Sequence, residues 1–208
     1  MQRFLLQENA RHFRARLEEA ATEDERRQIR TMLATVEREL ALLEAAKSGV
    51  RAARWPVGGA AELQARRKAL IEDFHREFDG SDHVAYLIDP APGLVFVDVN
   101  PAFELATGVA REQAIGQPLF LLFPENPDDL NADGLSHVYA SLRRVAETGA
   151  PHAMPIVRYD VRGPDGVFVE RHWRPVNAPL HDEEGRLSLL LHVVDEVSDE
   201  VQRSRRSA

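Results

Sequence analysis

Apolar positions along the chain follow a helical period first and a strand period later. From Gln2 to Ala20, Leu6, Phe13 and Leu17 fall on one helical face with charges elsewhere. Thr22-Glu-Asp-Glu25 then has capping-box spacing, in which a hydroxyl and a carboxylate satisfy backbone donors at a new helix start. Beyond it Ile29, Leu33, Val36, Leu40 and Leu43 step 4, 3, 4, 3, the seam of a coiled coil or helical hairpin, and Ser48-Gly49 ends the pattern. Residues 49–60 (GVRAARWPVGGA) read as a linker whose Trp55-Pro56 is expected to dock on the helices. Glu62 to Phe78 predicts a third helix, with Leu63, Leu70, Phe74 and Phe78 near one stripe, stopped by Asp79-Gly80-Ser81.

The pattern then shortens. Val84 to Asp89 and Leu94 to Val99 are β-branched and aromatic runs around Asp89-Pro-Ala-Pro-Gly93, which predicts a hairpin. Asn100 suits an N-cap, Pro101 a first helical position and Gly108 a stop, so one helical turn follows, and Arg111-Glu-Gln113 makes another before Gly116. After a polar loop over 126–133, Leu135, Val138, Leu142 and Val145 step 3, 4, 3 and predict a longer helix from Leu135 to Thr148. Three strand-like runs complete the chain: Met154 to Arg162, Val167 to Ala178 and Leu187 to Val194. Gly163-Pro-Asp-Gly166 and His181-Asp-Glu-Glu-Gly185 between them are turn chemistry.

Asn100-Pro-Ala-Phe103, Thr107-Gly108, Glu112-Gln-Ala-Ile-Gly116 and Leu122-Phe-Pro124 together resemble the N-terminal half of a PAS domain, the antiparallel-sheet sensor module of bacterial signalling proteins. The order of elements agrees with that family over about residues 82–198, and the second half resembles a PAS subtype found beside histidine kinase modules. The resemblance implies an α+β fold: a five-stranded antiparallel PAS sheet with short helices, preceded by a helical hairpin (1–48), the linker and a flanking helix (61–80), and followed by a polar tail (199–208). Asp195-Glu196-Val197-Ser198 resembles the Asp-Val-Thr exit of the family, with Glu196 and Ser198 in place of the Asp and Thr that tie the last strand to the next helix. The sequence runs only about ten residues past that exit, so no attached effector is expected.

Composition narrows the function. The chain is 44% hydrophobic and 29% charged, and no run is long and apolar enough for a membrane span, so a cytoplasmic protein is expected. Absence of Cys excludes disulfides, thiolate metal sites and the PAS photosensors that bond a Cys to flavin. Residues 1–80 hold 15 Lys+Arg against 14 Asp+Glu and the remainder 11 against 20, so the acidic balance falls on the PAS half and argues against nucleic acid. No nucleophile elbow, phosphate loop, HExxH helix or cyclase signature is present, and no enzymatic activity is expected.

The remaining candidates follow from the resemblance and from alternation. Tyr86, Ile88, Phe96, Phe103, Leu119, Leu122, Val138, Leu142, Ile156 and Leu191 are the apolar positions expected to face the PAS interior, where they form a core or line a pocket. Tyr86 with His172 or Arg174 would orient a ligand, while alternation puts Trp173 on the face opposite His172 and Arg174. No metal or cofactor is assigned. His137 lies close to where haem-binding PAS sensors carry their iron ligand, about one residue out of register, and is kept as a marginal haem-ligand candidate. His75 sits on a helix but lacks the flanking pattern of a phosphorylated histidine. Ile29, Leu33, Val36, Leu40 and Leu43 are expected to carry homodimerisation, because an amphipathic hairpin needs a partner for its second stripe; folding back on the PAS core is the alternative. A protein partner in a two-component pathway is expected, with a haem, flavin or small-metabolite sensor as the other reading.

Overall fold

The computed structural model describes residues 1–50, 60–163 and 166–206. The expected docking of Trp55-Pro56, the side chain of Leu63 and the centre of the Gly163–Gly166 turn lie outside the described residues. Helix α1 (Gln2–Glu19) and helix α2 (Glu23–Ser48) form an antiparallel hairpin, with Arg3 reaching Glu44 at 2.9 Å and Arg16 reaching Glu25 at 3.5 Å. Thr22 caps α2 by accepting from Glu25 N at 3.2 Å. The return bond of a full capping box is displaced by one residue, since the Glu25 carboxylate accepts from Ala21 N at 3.4 Å.

Helix α3 (Ala60–Phe78) leads to strand β1 (Val84–Ile88), then strand β2 (Phe96–Val99). Helices α4 (Pro101–Thr107), α5 (Arg111–Ala114), α6 (Leu119–Leu122) and α7 (Gly134–Thr148) follow. The chain closes with β3 (His152–Ala153), β4 (Val157–Arg158), β5 (Val161–Arg162), β6 (Phe168–Val169), β7 (His172–His181), β8 (Leu187–Glu196) and helix α8 (Ser198–Arg206). The main sheet runs β2-β1-β8-β7-β3, with every pairing antiparallel and β4 also pairing with β7.

The run expected as one strand from Met154 to Arg162 is divided into pieces. Residues 152–153 and 157–158 occupy the same edge of β7 on either side of Met154-Pro155-Ile156. Pro155 has no N–H to give a ladder, which breaks an edge strand without a buried penalty. Residues 161–162 and 168–169 make a separate small hairpin. The sheet thus has five strand positions, the fifth filled by two fragments.

Two apolar layers flank the sheet. On the inner face Val84, Tyr86 and Ile88 of β1 join Phe96, Phe103, Leu119, Val138, Leu142, Trp173 and Leu190 under α4 to α7. On the outer face Ala85 and Leu87 join Leu189, Phe74 and Phe78 beneath α3. Since β1 is buried on both sides, its residues VAYLI show no polar alternation. α3 is fixed to the sheet by Arg67, which donates to Asp89 at 2.9 Å and to the Ser188 carbonyl at 3.0 Å.

The hairpin also joins the inner core. Ala41 and Ala45 of α2, which lie off the 4-3-4-3 seam, and Val50 just past the end of the helix pack into it. Of the seam, Ile29 is buried, and Leu33, Val36, Leu40 and Leu43 are half-buried within the single chain. The C-terminal end of α2 lies directly on the β1–β2 turn: Val50 N donates to Pro90 O at 3.0 Å and Gly93 N to Ala45 O at 2.8 Å.

Candidate functional site

The inner face of the sheet carries a row of cross-strand partners: Val99 of β2, Tyr86 of β1, His192 of β8, Asn177 of β7 and His152 of β3 stand opposite one another in register. Tyr86 and His192 stack with centroids 4.5 Å apart and planes 22° from parallel. Asn177 Nδ2 donates to Ser141 Oγ of α7 at 2.7 Å and to Met154 Sδ at 3.4 Å, so its Oδ1 is left to accept from His192 Nδ1 at 2.7 Å. Ser141 Oγ also shares a hydrogen bond with His152 Nδ1 at 2.8 Å. One polar residue on each of β8, β7 and β3 at matched register, joined by Ser141 of α7, builds this chain, a signal invisible until the strands are paired.

Above the row lies a cavity of about 90 Å³ between the sheet and α4, α6 and α7, with Tyr86, Phe103, Phe123, Val138, Trp173 and His192 in its wall. The wall is apolar apart from Thr107 and the polar tips of Tyr86, Tyr159, Trp173 and His192. Tyr159 donates to Phe123 O at 2.6 Å and Trp173 to Tyr159 O at 2.8 Å, which satisfies both. Burial drives the His192 imidazolium down to a pKa of about 3 and pushes the Tyr86 phenol upward, so both side chains are neutral.

A pocket for a cofactor-sized molecule starts near roughly 300 Å³. The space here is far smaller, and neither haem nor flavin fits it as the side chains stand. His137 is exposed on α7, next to Asp133 at 3.5 Å, and lies off the cavity side, which corrects its haem-ligand candidacy. The helix turns it outward because Val138 and Leu142 hold the inner stripe. Among the described residues no group of three His, Asp or Glu could hold a metal.

Of the expected pocket residues, Tyr86, Phe103, Leu119 and Val138 line the cavity, while Ile88, Phe96, Leu122 and Leu142 pack in the same core behind it. Four are placed elsewhere. Leu191 packs on the outer face against the α3 layer, because β8 turns Leu190, His192 and Val194 inward. His172 and Arg174 also face outward, toward α8, where Arg205 approaches His172 Nε2 at 3.3 Å and Arg174 donates to Glu200 at 2.9 Å. Trp173 takes the inner side of β7. Ile156 is 41% exposed in the gap between β3 and β4. β8 is largely apolar on both faces and β7 carries polar residues on both, so period-2 alternation alone left the parity open. His192, Asn177, Trp173 and Tyr159 are the site residues that reasoning from sequence missed.

A second polar cluster holds α3 to the sheet edge. Asp98 of β2, almost fully buried, accepts from Arg111 Nε at 2.6 Å and Nη2 at 2.8 Å and pairs with His75 Nε2 at 3.1 Å. Burial would raise the Asp98 pKa, but the Arg111 fork outweighs it and holds the carboxyl below its usual range. His75 Nδ1 also meets Asp79 at 2.9 Å, and that bond, against some burial and with help from Asp98, raises the His75 pKa. With both ring nitrogens on carboxylates, His75 is a structural clasp.

At the exit, Ser198 is buried and accepts from His172 N at 2.9 Å, while Val197 N donates to His172 O at 2.8 Å. Glu196 pairs with Arg171 at 2.6 Å. These bonds tie the end of β8 and the start of α8 to β7.

A family model described as the PAS fold matches residues 78–202. Among solved structures, the chain is similar to the PAS domain of a Colwellia psychrerythraea protein, with 19% identity over 62% of this chain and 98% of that one and a TM-score of 0.47. It is similar also to the LOV protein of Rhodobacter sphaeroides, with 17% identity, 63% and 68% coverage and a TM-score of 0.49. An RNA-binding LOV receptor is matched over 85% of this chain and 46% of that one, at 20% identity and a TM-score of 0.47. No curated protein matches. The family match spans more than half of the sequence, over the sheet, the four inner helices and the exit just described, and the chain therefore belongs to the PAS-fold family.

Proposed function

We propose that this chain is a PAS sensor and adaptor of bacterial signal transduction that passes a change in its cavity to the N-terminal helical hairpin, which contacts a protein of a two-component pathway. Domains of this family are in general sensory rather than catalytic, which fits such a role. The observation that carries the reading is the seat of α2. Tyr139 of α7, the helix that also puts Val138 into the cavity wall, donates to Gly49 O at 3.0 Å. Arg38 donates to Ala132 O at 2.7 Å and pairs with buried Glu125 in the loop before α7. A shift of α7 therefore moves contacts of α2 directly, and two packings of that helix pair are the two states of the switch.

The hairpin leaves Phe4, Leu5, Met32 and Leu42 exposed and most of its seam half-buried, surface that a second copy of the chain covers in this proposal. Among the described residues no helix is long and apolar enough to cross a membrane, in keeping with a proposed place in the cytosol.

Hydrogen exchange on the full chain tests the reading. Filling the cavity with Val138→Phe should speed exchange in the α2 segment 38–50 severalfold relative to α8, and equal exchange in the two proteins overturns the coupling. Sedimentation should show a dimer that Leu40→Glu with Leu43→Glu disperses; a monomeric wild type overturns the dimer. A second reading, a sensor of a small molecule, is favoured by the neutral polar pair that Tyr86 and His192 place in the cavity wall.

A further inference from the structure

Tyr86 and His192 are the two polar side chains of the cavity wall that lack a full set of protein partners. They are 8% and 4% exposed, and neither Tyr86 Oη nor His192 Nε2 hydrogen-bonds to a described residue. The other polar tips are occupied, Thr107 Oγ1 with Phe103 O at 2.8 Å and the Tyr159 and Trp173 donors as described above. A buried group of this kind loses its water on folding and regains the loss only from a ligand or a trapped water.

The hydrogen-bond chain fixes what each group offers. Because Asn177 Oδ1 takes the His192 Nδ1 proton, Nε2 carries a lone pair and accepts. The donors then run in one direction from His192 to Asn177 and from Asn177 to Ser141, and such a chain polarises its first member toward a stronger acceptor at Nε2. Tyr86 Oη has its proton to give. No Lys, Arg, Asp or Glu lines the cavity. An ion entering it would lose hydration with no opposite charge to meet, since burial keeps His192 and Tyr86 neutral.

We infer that the cavity takes a small uncharged molecule about the size of one aromatic ring and bearing a single hydroxyl, which donates to His192 Nε2 and accepts from Tyr86 Oη. The volume of about 90 Å³ sets the size, and the rings of Phe103, Phe123 and Trp173 provide the apolar faces. This assignment rests on the small-molecule reading given above and names its chemical class.

Phenol is the probe, with toluene as the isosteric apolar control and benzoate as the charged one, each titrated calorimetrically into the full chain. Phenol should bind at least tenfold tighter than toluene, and benzoate should not bind. Tyr86→Phe deletes one oxygen and keeps the ring stacked on His192, so the fold is retained. It should weaken phenol about tenfold and leave toluene within twofold, the loss of one hydrogen bond. If toluene equals phenol, if benzoate binds, or if Tyr86→Phe leaves phenol unchanged, the assigned class is wrong while the small-molecule reading stands. If none of the three binds, the small-molecule reading falls and the assignment falls with it.

Discussion

Gly49 is the joint between the hairpin and the PAS core, and replacing it with alanine tests that joint directly. Its φ is +59° with ψ −139°, a conformation that residues with a Cβ rarely adopt. A Cβ built there lies 2.3 Å from both Pro90 O and Ala91 O, which are backbone atoms of the β1–β2 turn and cannot rotate away. The strained conformation costs about 2 kcal/mol. Relieving the overlap means backing α2 off the turn, at about 1–3 kcal/mol for overpacking of this sort. Backing off also stretches three bonds, Val50 N to Pro90 O, Gly93 N to Ala45 O and Tyr139 Oη to Gly49 O. Gly49→Ala should therefore destabilise the docked hairpin by about 4 kcal/mol. In native-state hydrogen exchange the Val50 and Gly93 amides should lose protection by two to three powers of ten, while strand amides of β1 and β8 keep most of theirs. A loss below about 1 kcal/mol, with Val50 and Gly93 still protected, would refute the idea that α2 sits on the turn.

Three further outcomes are expected. Asn100 accepts from Phe103 N at 3.1 Å and Ala85 N at 3.0 Å and donates to Phe78 O at 3.0 Å and His83 O at 2.9 Å. Asn100→Ala strands four backbone groups and should cost about 3 kcal/mol in urea unfolding; a change under about 1 kcal/mol contradicts its role as the knot between α3, β1 and α4. The pKa of His75 lies above its ordinary 6.5, first through Asp79, with burial opposing and Asp98 assisting. Its contribution is therefore complete below pH 6.5 and fades as the pH rises through the raised value. A His75→Gln chain should lack that part of the stability decline, and identical pH profiles for the two chains would rule the clasp out. Ser198→Ala removes the acceptor of His172 N. It should cost about 1 kcal/mol and speed exchange in α8, with Ser198→Thr restoring both; an unaltered α8 would separate Ser198 from the exit.

Local chemistry made much of the fold legible. Asn100-Pro101 and Gly108 bracket α4, the 3-4-3 stripe from Leu135 to Val145 defines α7, and the 4-3-4-3 seam defines α2, because capping and helical period act within a few residues. The candidate site was less legible. Leu191 was expected inside where His192 stands, and which face of β7 meets the interior, that of His172 and Arg174 or that of Trp173, was left open, since a one-residue change of parity exchanges two faces that the residue types do not distinguish. Pro155 was visible in the sequence, yet its effect on the edge strand depended on which strand it lay against.

The amino-acid order by itself determined α1 to α5 and α7, the stops and caps of α2 and α4, and the exclusion of thiol and thiolate chemistry, while the short helix α6 was not among them. Only the tertiary structure decided that Tyr86, His192, Asn177 and His152 form one row under a cavity, and that Gly49 abuts the β1–β2 turn. Register and close backbone approach join residues far apart along the chain, and no local period encodes them.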